Sequence, residues 1–119
     1  MSGARPVLVS LRVRDLSESA RFYHDALGLA IRHAGGGLLE ERHATCSWPD
    51  GMRLLLFEAP AGEQTERLAL GFAVDDLPGS HDRAVATGAV VLHPPRDEPQ
   101  GSTARYADPD GNVVSLTEG

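Results

Sequence analysis

The chain has 119 residues, of which 41% are hydrophobic and 24% are charged, and its formal net charge is −6. This length suits one compact domain, and the balance of apolar and charged residues is that of a globular protein rather than a disordered one. The acidic balance disfavours nucleic acid as a partner, because binding a polyanion requires clustered Lys and Arg.

The sequence contains no segment suited to membrane insertion. No apolar stretch approaches the roughly 20 residues that a membrane-spanning helix needs, and the first residues lack the apolar core of a signal peptide. We therefore expect a cytoplasmic protein without a membrane partner.

The first predicted elements are a strand and a helix. The segment LVSLRVRDL alternates apolar and polar residues, as does a strand with one buried face. Asp15 is suited to cap the following helix, and Glu18 stands three residues on, as in a capping box. Leu16, Ala20 and Tyr23 supply an apolar helical face. Gly28 is expected to end the helix.

The second half of the chain repeats this pattern. The segment ALGFAVDDL aligns with LVSLRVRDL at a constant offset. Asp76 is the predicted cap of the second helix, and Pro78 falls in its first turn, where a missing N–H costs nothing. Ala84 and Val85 supply its apolar surface, and Gly88 ends it.

The later strands of the two halves also correspond. Apolar runs at Leu29 to Ile31 and Ala89 to Leu92 follow the helices and predict a strand in each half. Asp50-Gly51 and Asp110-Gly111 predict turns, and each turn leads into a final strand. We therefore predict an α+β fold of two tandem βαβββ modules in a single domain, with modules at 6–59 and 67–119 and a linker at 60–66.

Side chains of each predicted strand alternate between two faces, and the helix of the module covers one of them. In the first and fifth strands the covered face is apolar, as at Val9 and Phe72. The other face is small, mixed and partly polar, as at Ser10 and Gly71. Such a face is unsuited to a packed core, so it either lines a cavity or faces solvent.

The chain contains the segment VRDLSESARFYHDALGL in its first half and the segment YADPDGNVVSL at the end of its second half. Both segments, in this order, resemble signatures of the glyoxalase/bleomycin resistance/dioxygenase (vicinal oxygen chelate) superfamily. The resemblance implies a cup-shaped mixed sheet, a cavity for metal chemistry or ligand binding, and frequent homodimers. The stretch from Asp108 to Asn112 is interpreted as a rigid structural turn.

Metal-dependent members of this superfamily hold a divalent ion with His, Gln or Glu side chains on the first and last strands of both modules. The corresponding positions in this chain are Leu8, Ala69, Leu55 and Ser115. None of these residues is a normal ligand for such an ion. The resemblance therefore predicts no metal and no cofactor, and it counts against glyoxalase I, extradiol dioxygenase and fosfomycin-transferase activity.

The cysteine and the histidines offer no alternative metal site at ligand spacing. Cys46 is alone, which excludes an intramolecular disulfide and a cysteine-rich zinc site, and we expect it to be buried on a strand. Four histidines are interpreted as surface residues: His24, His33, His81 and His93. His43 shares a strand face with Thr45 and Ser47 on the cup side, where it could donate a hydrogen bond or act as an acid or base.

The same strand parity defines a candidate ligand-binding surface that is apolar with a few polar anchors. Arg12, Arg53 and Arg105 favour a carboxylate, phenolate or polarised carbonyl on the ligand, unless each pairs at the rim. Trp48 and Tyr106 fall on the opposite face and are interpreted as packing residues. The candidate ligand-binding residues are Leu8, Ser10, Arg12, His43, Thr45, Ser47, Arg53, Leu55, Phe57, Ala69, Gly71, Thr103, Arg105, Ser115 and Thr117.

Three functions are compatible with these residues. The leading hypothesis is a metal-free, non-catalytic protein that sequesters an aromatic or oxygenated metabolite or antibiotic. The alternative is a metal-independent lyase, isomerase or cyclase acting on a carbonyl-containing metabolite, with His43 as proton shuttle and Arg105 or Arg12 stabilising an oxyanion. The third is a structural or regulatory module. The expected partners are a small organic ligand and a second copy of the chain.

Overall fold

The computed structural model describes Ala4 and residues 6–35, 42–58, 67–99 and 101–118. The predicted linker, 60–66, lies outside these residues, as do the predicted module ends at 59 and 119. The helices are α1 (Leu16–Arg21), which continues as a π-helix (Phe22–Ala26), and α2 (Leu77–Ala86). The strands are β1 (Leu8–Val13), β2 (Arg32–Ala34), β3 (His43–Ser47), β4 (Arg53–Glu58), β5 (Ala69–Val74), β6 (Val90–Glu98), β7 (Gly101–Ala107) and β8 (Val113–Glu118).

The strands form two four-stranded sheets of the same topology. Their orders are β1-β4-β3-β2 and β5-β8-β7-β6. In each sheet the first strand pairs parallel with the last, and the remaining pairs are antiparallel. This arrangement confirms the predicted α+β fold of two tandem βαβββ units with mixed sheets. No helix among the described residues is long and apolar enough to cross a bilayer.

Both helices begin at the predicted aspartates. The carboxylate of Asp15 accepts a hydrogen bond from the backbone N–H of Glu18, and that of Asp76 accepts one from Gly79. Each aspartate therefore satisfies an N–H that the first helical turn leaves without a partner. Of the residues expected to give α2 its apolar surface, Ala84 is fully buried, whereas Val85 is 50% exposed.

A second contact at each helix start was not predicted. The side chain of Glu58, at the end of β4, accepts a hydrogen bond from the N–H of Leu16. Glu118, at the end of β8, does the same for Leu77. Each glutamate thus ties the last strand of its module to the first helical residue, where a negative charge also suits the helix dipole.

The strand predicted at Leu29 to Ile31 is wrong in position, because β2 begins at Arg32. The N–H of Leu29 still donates to the carbonyl of Tyr23, and Gly28 has a φ of 74°. The chain is therefore still leaving the helix at Leu29. Leu29 and Ile31 instead pack, half-buried, against the core.

The strand predicted at Ala89 to Leu92 is shorter than the one observed. β6 runs on to Glu98 through Pro94 and Pro95, with irregularities in its register against β7. β6 is an edge strand, where the N–H that proline lacks is not needed for pairing with a further strand.

The turn between β7 and β8 holds the two modules together. Asp108 is buried, and its Oδ1 accepts hydrogen bonds from the N–H groups of Asp110 (2.9 Å) and Asn112 (2.8 Å). Its Oδ2 accepts from the Asn112 amide (2.8 Å) and from the Tyr23 hydroxyl (2.7 Å). Gly111 has a φ of 85°. The predicted rigid turn is confirmed, and the bond from Tyr23 docks it against the first module.

Further polar contacts surround this junction. The Arg14 guanidinium donates to Asp110 (3.0 Å) and to the Pro109 carbonyl (2.6 Å), and Ser19 also donates to Asp110 (3.2 Å). On α2, the Arg83 guanidinium donates to the Asp25 carbonyl at the end of the π-helix (3.0 Å). We call the bond from Tyr23 to Asp108, with the contacts of Arg14 and Ser19, the inter-module clasp.

The clasp depends on a neutral Tyr23. Burial of this side chain, together with the negative charge of Asp108, raises the pKa of the Tyr23 hydroxyl well above its ordinary value. The hydroxyl therefore keeps its proton and remains a donor to the carboxylate throughout the neutral pH range.

Removing the Tyr23 hydroxyl is expected to loosen the junction. Tyr23→Phe removes one of the two donors to Oδ2 of the buried Asp108 carboxylate, which should lower the free energy of unfolding by about 1–3 kcal/mol. Urea unfolding followed by circular dichroism measures this change.

Tyr106→Phe is the matched control. Tyr106 is equally buried, but its hydroxyl pairs at 2.7 Å with the ring of His81 inside one module. Because no buried carboxylate loses a partner, its destabilisation should be smaller. A Tyr23→Phe loss no larger than that of Tyr106→Phe would contradict the role given to the clasp.

Candidate functional site

Each sheet has one face packed against its helix and one face turned away from it. We call the face turned away from the helix the cup face. The first cup face belongs to β1–β4, and the second cup face belongs to β5–β8. The predicted parity is visible in the burial of β1, where Leu11 and Val13 are buried and Ser10 and Arg12 are exposed. β3 and β4 alternate in the same way.

The first cup face carries a row of charged and aromatic side chains. Strand register places Arg12 beside Phe57, and Phe57 beside His43. The Arg12 guanidinium lies 5.6 Å from the centre of the Phe57 ring, a cation–π contact. His43 and Phe57 are half-buried, whereas Arg12 is exposed. This row therefore combines a fixed positive charge, a flat apolar surface and a titratable ring.

Two further rows complete the first cup face. The middle row contains Thr45 and continues outward to Arg32 on β2, which pairs with Thr45 in the strand register. Sequence reasoning missed Arg32, because the strand was placed three residues too early. The other predicted residues of these two rows are Ser10, Leu55 and Thr45, and then Leu8, Arg53 and Ser47.

The second cup face is built from small and hydroxyl-bearing residues. The Thr103 and Thr117 hydroxyls lie 3.3 Å apart, and Thr103 is only 2% exposed. The Ser115 hydroxyl donates to the Leu70 carbonyl (3.4 Å). Gly71, beside Ser115 in the register, adds no side chain. The Thr103 hydroxyl therefore contacts that of Thr117 and is not exposed to solvent.

Arg105 is the charged residue that sequence parity assigned to the second cup face. It is exposed and lies between Ser115 on β8 and His93 on β6 in the strand register. His93 was interpreted as a surface residue, but it is half-buried, and its Nε2 atom has no hydrogen-bond partner among the described residues. Because β6 was predicted too short, its pairing with β7 at His93 and Arg105 could not be predicted.

The two cup faces thus differ in chemistry. The first offers guanidinium groups beside an aromatic ring. The second offers hydroxyls, the guanidinium of Arg105 and, at Ala69, Gly71 and Ala73, an almost bare backbone. A flat ligand with one acidic or oxygenated end would suit this pairing, because the arginines attract its polar end and the small residues leave room for its apolar part.

The positions that hold metal in metal-dependent relatives do not fit a divalent ion in this chain. Leu8, Leu55 and Ala69 have hydrocarbon side chains, and the hydroxyl of Ser115 is engaged with a carbonyl. A bound Zn²⁺ or Mg²⁺ requires several nitrogen or oxygen donors. Across the ranges that the structure describes, no group of three or more His, Cys, Asp or Glu side chains could hold an ion.

The remaining histidines lie apart from one another. His24 is exposed and contacts Asp25 (2.7 Å), and His33 is exposed on β2. His81 was expected at the surface, but it is half-buried, and its ring bonds to the hydroxyl of Tyr106. None of these three belongs to the row that contains His43.

Trp48 and Tyr106 were interpreted as packing residues, and Cys46 was expected to be buried on a strand. Tyr106 is fully buried, and Trp48 is half-buried, with its ring centre 6.3 Å from that of Phe72. Cys46 is 4% exposed on the helix face of β3. Burial raises the pKa of the Cys46 thiol, which disfavours the reactive thiolate.

The sequence profile of the glyoxalase-like domain matches residues 8–117 of the chain. Among curated proteins, no relative matches this chain.

Solved structures give the same fold over nearly the full length. TnmS3, an antibiotic binding protein from Streptomyces sp. CB03234, is 25% identical, with a TM-score of 0.79 over 99% of this chain and 98% of that one. A glyoxylase/bleomycin resistance protein/dioxygenase domain from Frankia sp. EAN1pec is 26% identical, with a TM-score of 0.76 over 100% and 98%. A glyoxalase/bleomycin resistance protein from Streptomyces sp. CB03234 is 25% identical, with a TM-score of 0.74 over 95% and 99%.

The thiol of Cys46 is expected to be protected in the folded protein. Its alkylation by iodoacetamide should be at least about a hundredfold slower than in the urea-unfolded chain, because reaction requires opening of the core. Mass spectrometry of timed samples measures the rate. The control is the double variant Cys46→Ser/Ser47→Cys, which moves the thiol one residue along β3 to the exposed cup face and should react quickly. A wild-type thiol that reacts quickly, with a variant thiol that reacts slowly, would mean that the assignment of the two faces of β3 is reversed.

Proposed function

Because the chain belongs to the glyoxalase-like domain family, we propose that it binds a small organic molecule on its cup faces and releases it unchanged. The observation that supports this most is the row of Arg12, Phe57 and His43 on an exposed sheet face. The family's metal positions have no suitable donors here, so the proposed mechanism is binding itself. The effect would be to lower the free concentration of the ligand.

The chemistry of the cup faces favours an aromatic ligand with a carboxylate, phenolate or polarised carbonyl. Arg12, Arg53 and Arg105 place positive charge on faces of a chain whose net charge is −6. A guanidinium binds such oxygens through charge-assisted hydrogen bonds, and the Phe57 ring offers a surface for stacking. The similarity to TnmS3, which is described as an antibiotic binding protein, supports a natural product of this kind.

We further propose that the chain acts as a homodimer. Its extents are 48 × 43 × 24 Å, and its radius of gyration is 15.1 Å, compared with about 13.5 Å for a compact domain of this length. Arg12, Ala69 and Gly71 on the cup faces are exposed in the single chain. A second copy could cover these faces and bury a ligand that one open face would leave in water.

A metal-independent lyase, isomerase or cyclase is the second candidate. The observation that favours it is the position of His43 and Arg12 on either side of Phe57 in the register. An imidazole could move a proton while the guanidinium stabilises an oxyanion on the same substrate. Chemical analysis of the bound molecule after incubation separates this candidate from the first.

Binding should depend on the guanidinium of Arg12. We expect aromatic carboxylates to bind more tightly than their methyl esters, and Arg12→Met to weaken the carboxylates about tenfold or more, since a hydrogen bond to a charged group contributes about 1.5–3 kcal/mol. Isothermal titration calorimetry measures the affinities, and chromatography of the recovered ligand should find it unchanged.

The matched control is Arg21→Met, which removes the same charge from an exposed position on α1. It should change the affinity less than twofold. Equal weakening by the two variants would contradict the proposed site. A product formed by the wild-type chain, and lost in His43→Ala, would replace the binding function with the enzymatic one.

A further inference from the structure

The turn that forms the inter-module clasp has a counterpart in the first module. Residues 48–52 (WPDGM) correspond to residues 108–112 (DPDGN). In both turns the first N–H donates to the fifth carbonyl, at 2.9 Å, and the glycine N–H donates to the first carbonyl, at 3.0 Å. Gly51 and Gly111 both have positive φ, at 94° and 85°. The backbone of the turn is therefore duplicated almost unchanged.

The side chains of the two turns differ. Asp108 and Asn112 form the buried polar cluster that Tyr23 joins. Trp48 and Met52 occupy the same positions in the first module. Tyr23 lies eight residues after the cap of the first helix, and the equivalent position after the cap of α2 is Ala84. The first-module turn thus has neither the polar cluster nor the facing tyrosine that closes the other one.

A cavity of about 330 Å³ lies beside the first-module turn, between the two modules. Its apolar lining comes from both modules: Val9, Trp48, Met52 and Leu54 from the first, and Leu70 and Phe72 from the second. Val9, Leu54, Leu70 and Phe72 belong to the helix-side faces of their strands. Arg53, Gly71 and Ala73 also line the cavity, so it adjoins the cup faces at these three residues.

We propose that this inter-module cavity is a second binding site, which takes a flat aromatic molecule bearing an acidic group. Its volume falls at the lower end of the range of small-molecule pockets. The rings of Trp48 and Phe72 and the thioether of Met52 supply polarisable contacts that favour an aromatic ligand. Arg53 is the one charged residue among those that line the cavity, and it favours an anionic substituent.

The duplicated turn explains why the site occurs once. At the second-module turn the corresponding space is used for the hydrogen bonds of Asp108, which hold the modules together. At the first-module turn the same backbone presents large apolar side chains, and the modules meet there through the contact of Trp48 with Phe72. One copy of the turn therefore serves assembly, and the other is available for a ligand.

The probe for this site is 8-anilinonaphthalene-1-sulfonate, an aromatic anion with a planar naphthalene ring, titrated into the full chain. Trp48 is the only tryptophan and lines the cavity, so the substitutions below show how much of the energy transfer from it to the probe depends on this cavity. We expect saturable transfer, most of it to a probe bound in the cavity. Val9→Phe and Leu70→Phe, which fill the cavity from different modules, should each weaken binding about tenfold or more.

The matched control is Val85→Phe, which adds the same ring at an exposed position on α2, outside both the cavity and the cup faces; it should leave the transfer from Trp48 unchanged. Leu8→Phe and Ala69→Phe place the ring on the cup-side face of the cavity strands, and most of the transfer should survive them. Circular dichroism verifies the fold of each variant. The proposal is overturned if the cup-face variants abolish transfer while the cavity variants keep it, or if the wild-type chain shows no saturable transfer. A third result would also overturn it: Trp48 emission that changes with protein concentration alone and is not reversed by adding the probe. That result would indicate that a second copy of the chain occupies the cavity.

Discussion

The carboxylate of Asp108 is buried where the two modules meet. It is stable there because each of its two oxygens accepts two hydrogen bonds. Three donors come from its own turn, and the fourth is the hydroxyl of Tyr23 from the other module. A buried charge that loses a donor is costly, so this cluster fixes the position of one module against the other. The direction of both cup faces and the cavity at Trp48 depend on that position.

The duplicated chain divides its tasks between its halves. The first cup face has the charged and aromatic row of Arg12 and Phe57, whereas the second is small and hydroxyl-bearing around Ser115. The two equivalent turns differ in the same sense, since Asp108 binds a neighbouring module and Trp48 lines a space. Two copies of one βαβββ unit thus supply a charged and aromatic cup face, a small hydroxyl-bearing cup face and a junction between modules. The two copies share a backbone fold and differ in their side chains.

Features set by local chemistry were predictable from the sequence. The caps at Asp15 and Asp76 and the Asp108 turn depend on residues within a few positions of one another, and strand parity follows from alternation. The clasp was not predictable, because Tyr23 lies 85 residues from its partner. The position of β2 was missed because the end of the helix extends to Leu29, whose N–H still donates to the Tyr23 carbonyl. The ligand-binding residues of the cup faces remain a prediction, since burial and register describe a surface and not its occupant.

The central claim is that this chain binds its ligand without a resident metal, because residues such as Leu8, Leu55 and Ala69 occupy the positions of the family's metal ligands. The most direct test is metal content by mass spectrometry, after the full chain has been incubated with zinc, nickel, manganese and ferrous iron and then desalted. The account predicts no retained stoichiometric metal. One tightly held ion per chain would contradict it, and would mean that donors other than those at the family positions form a metal centre.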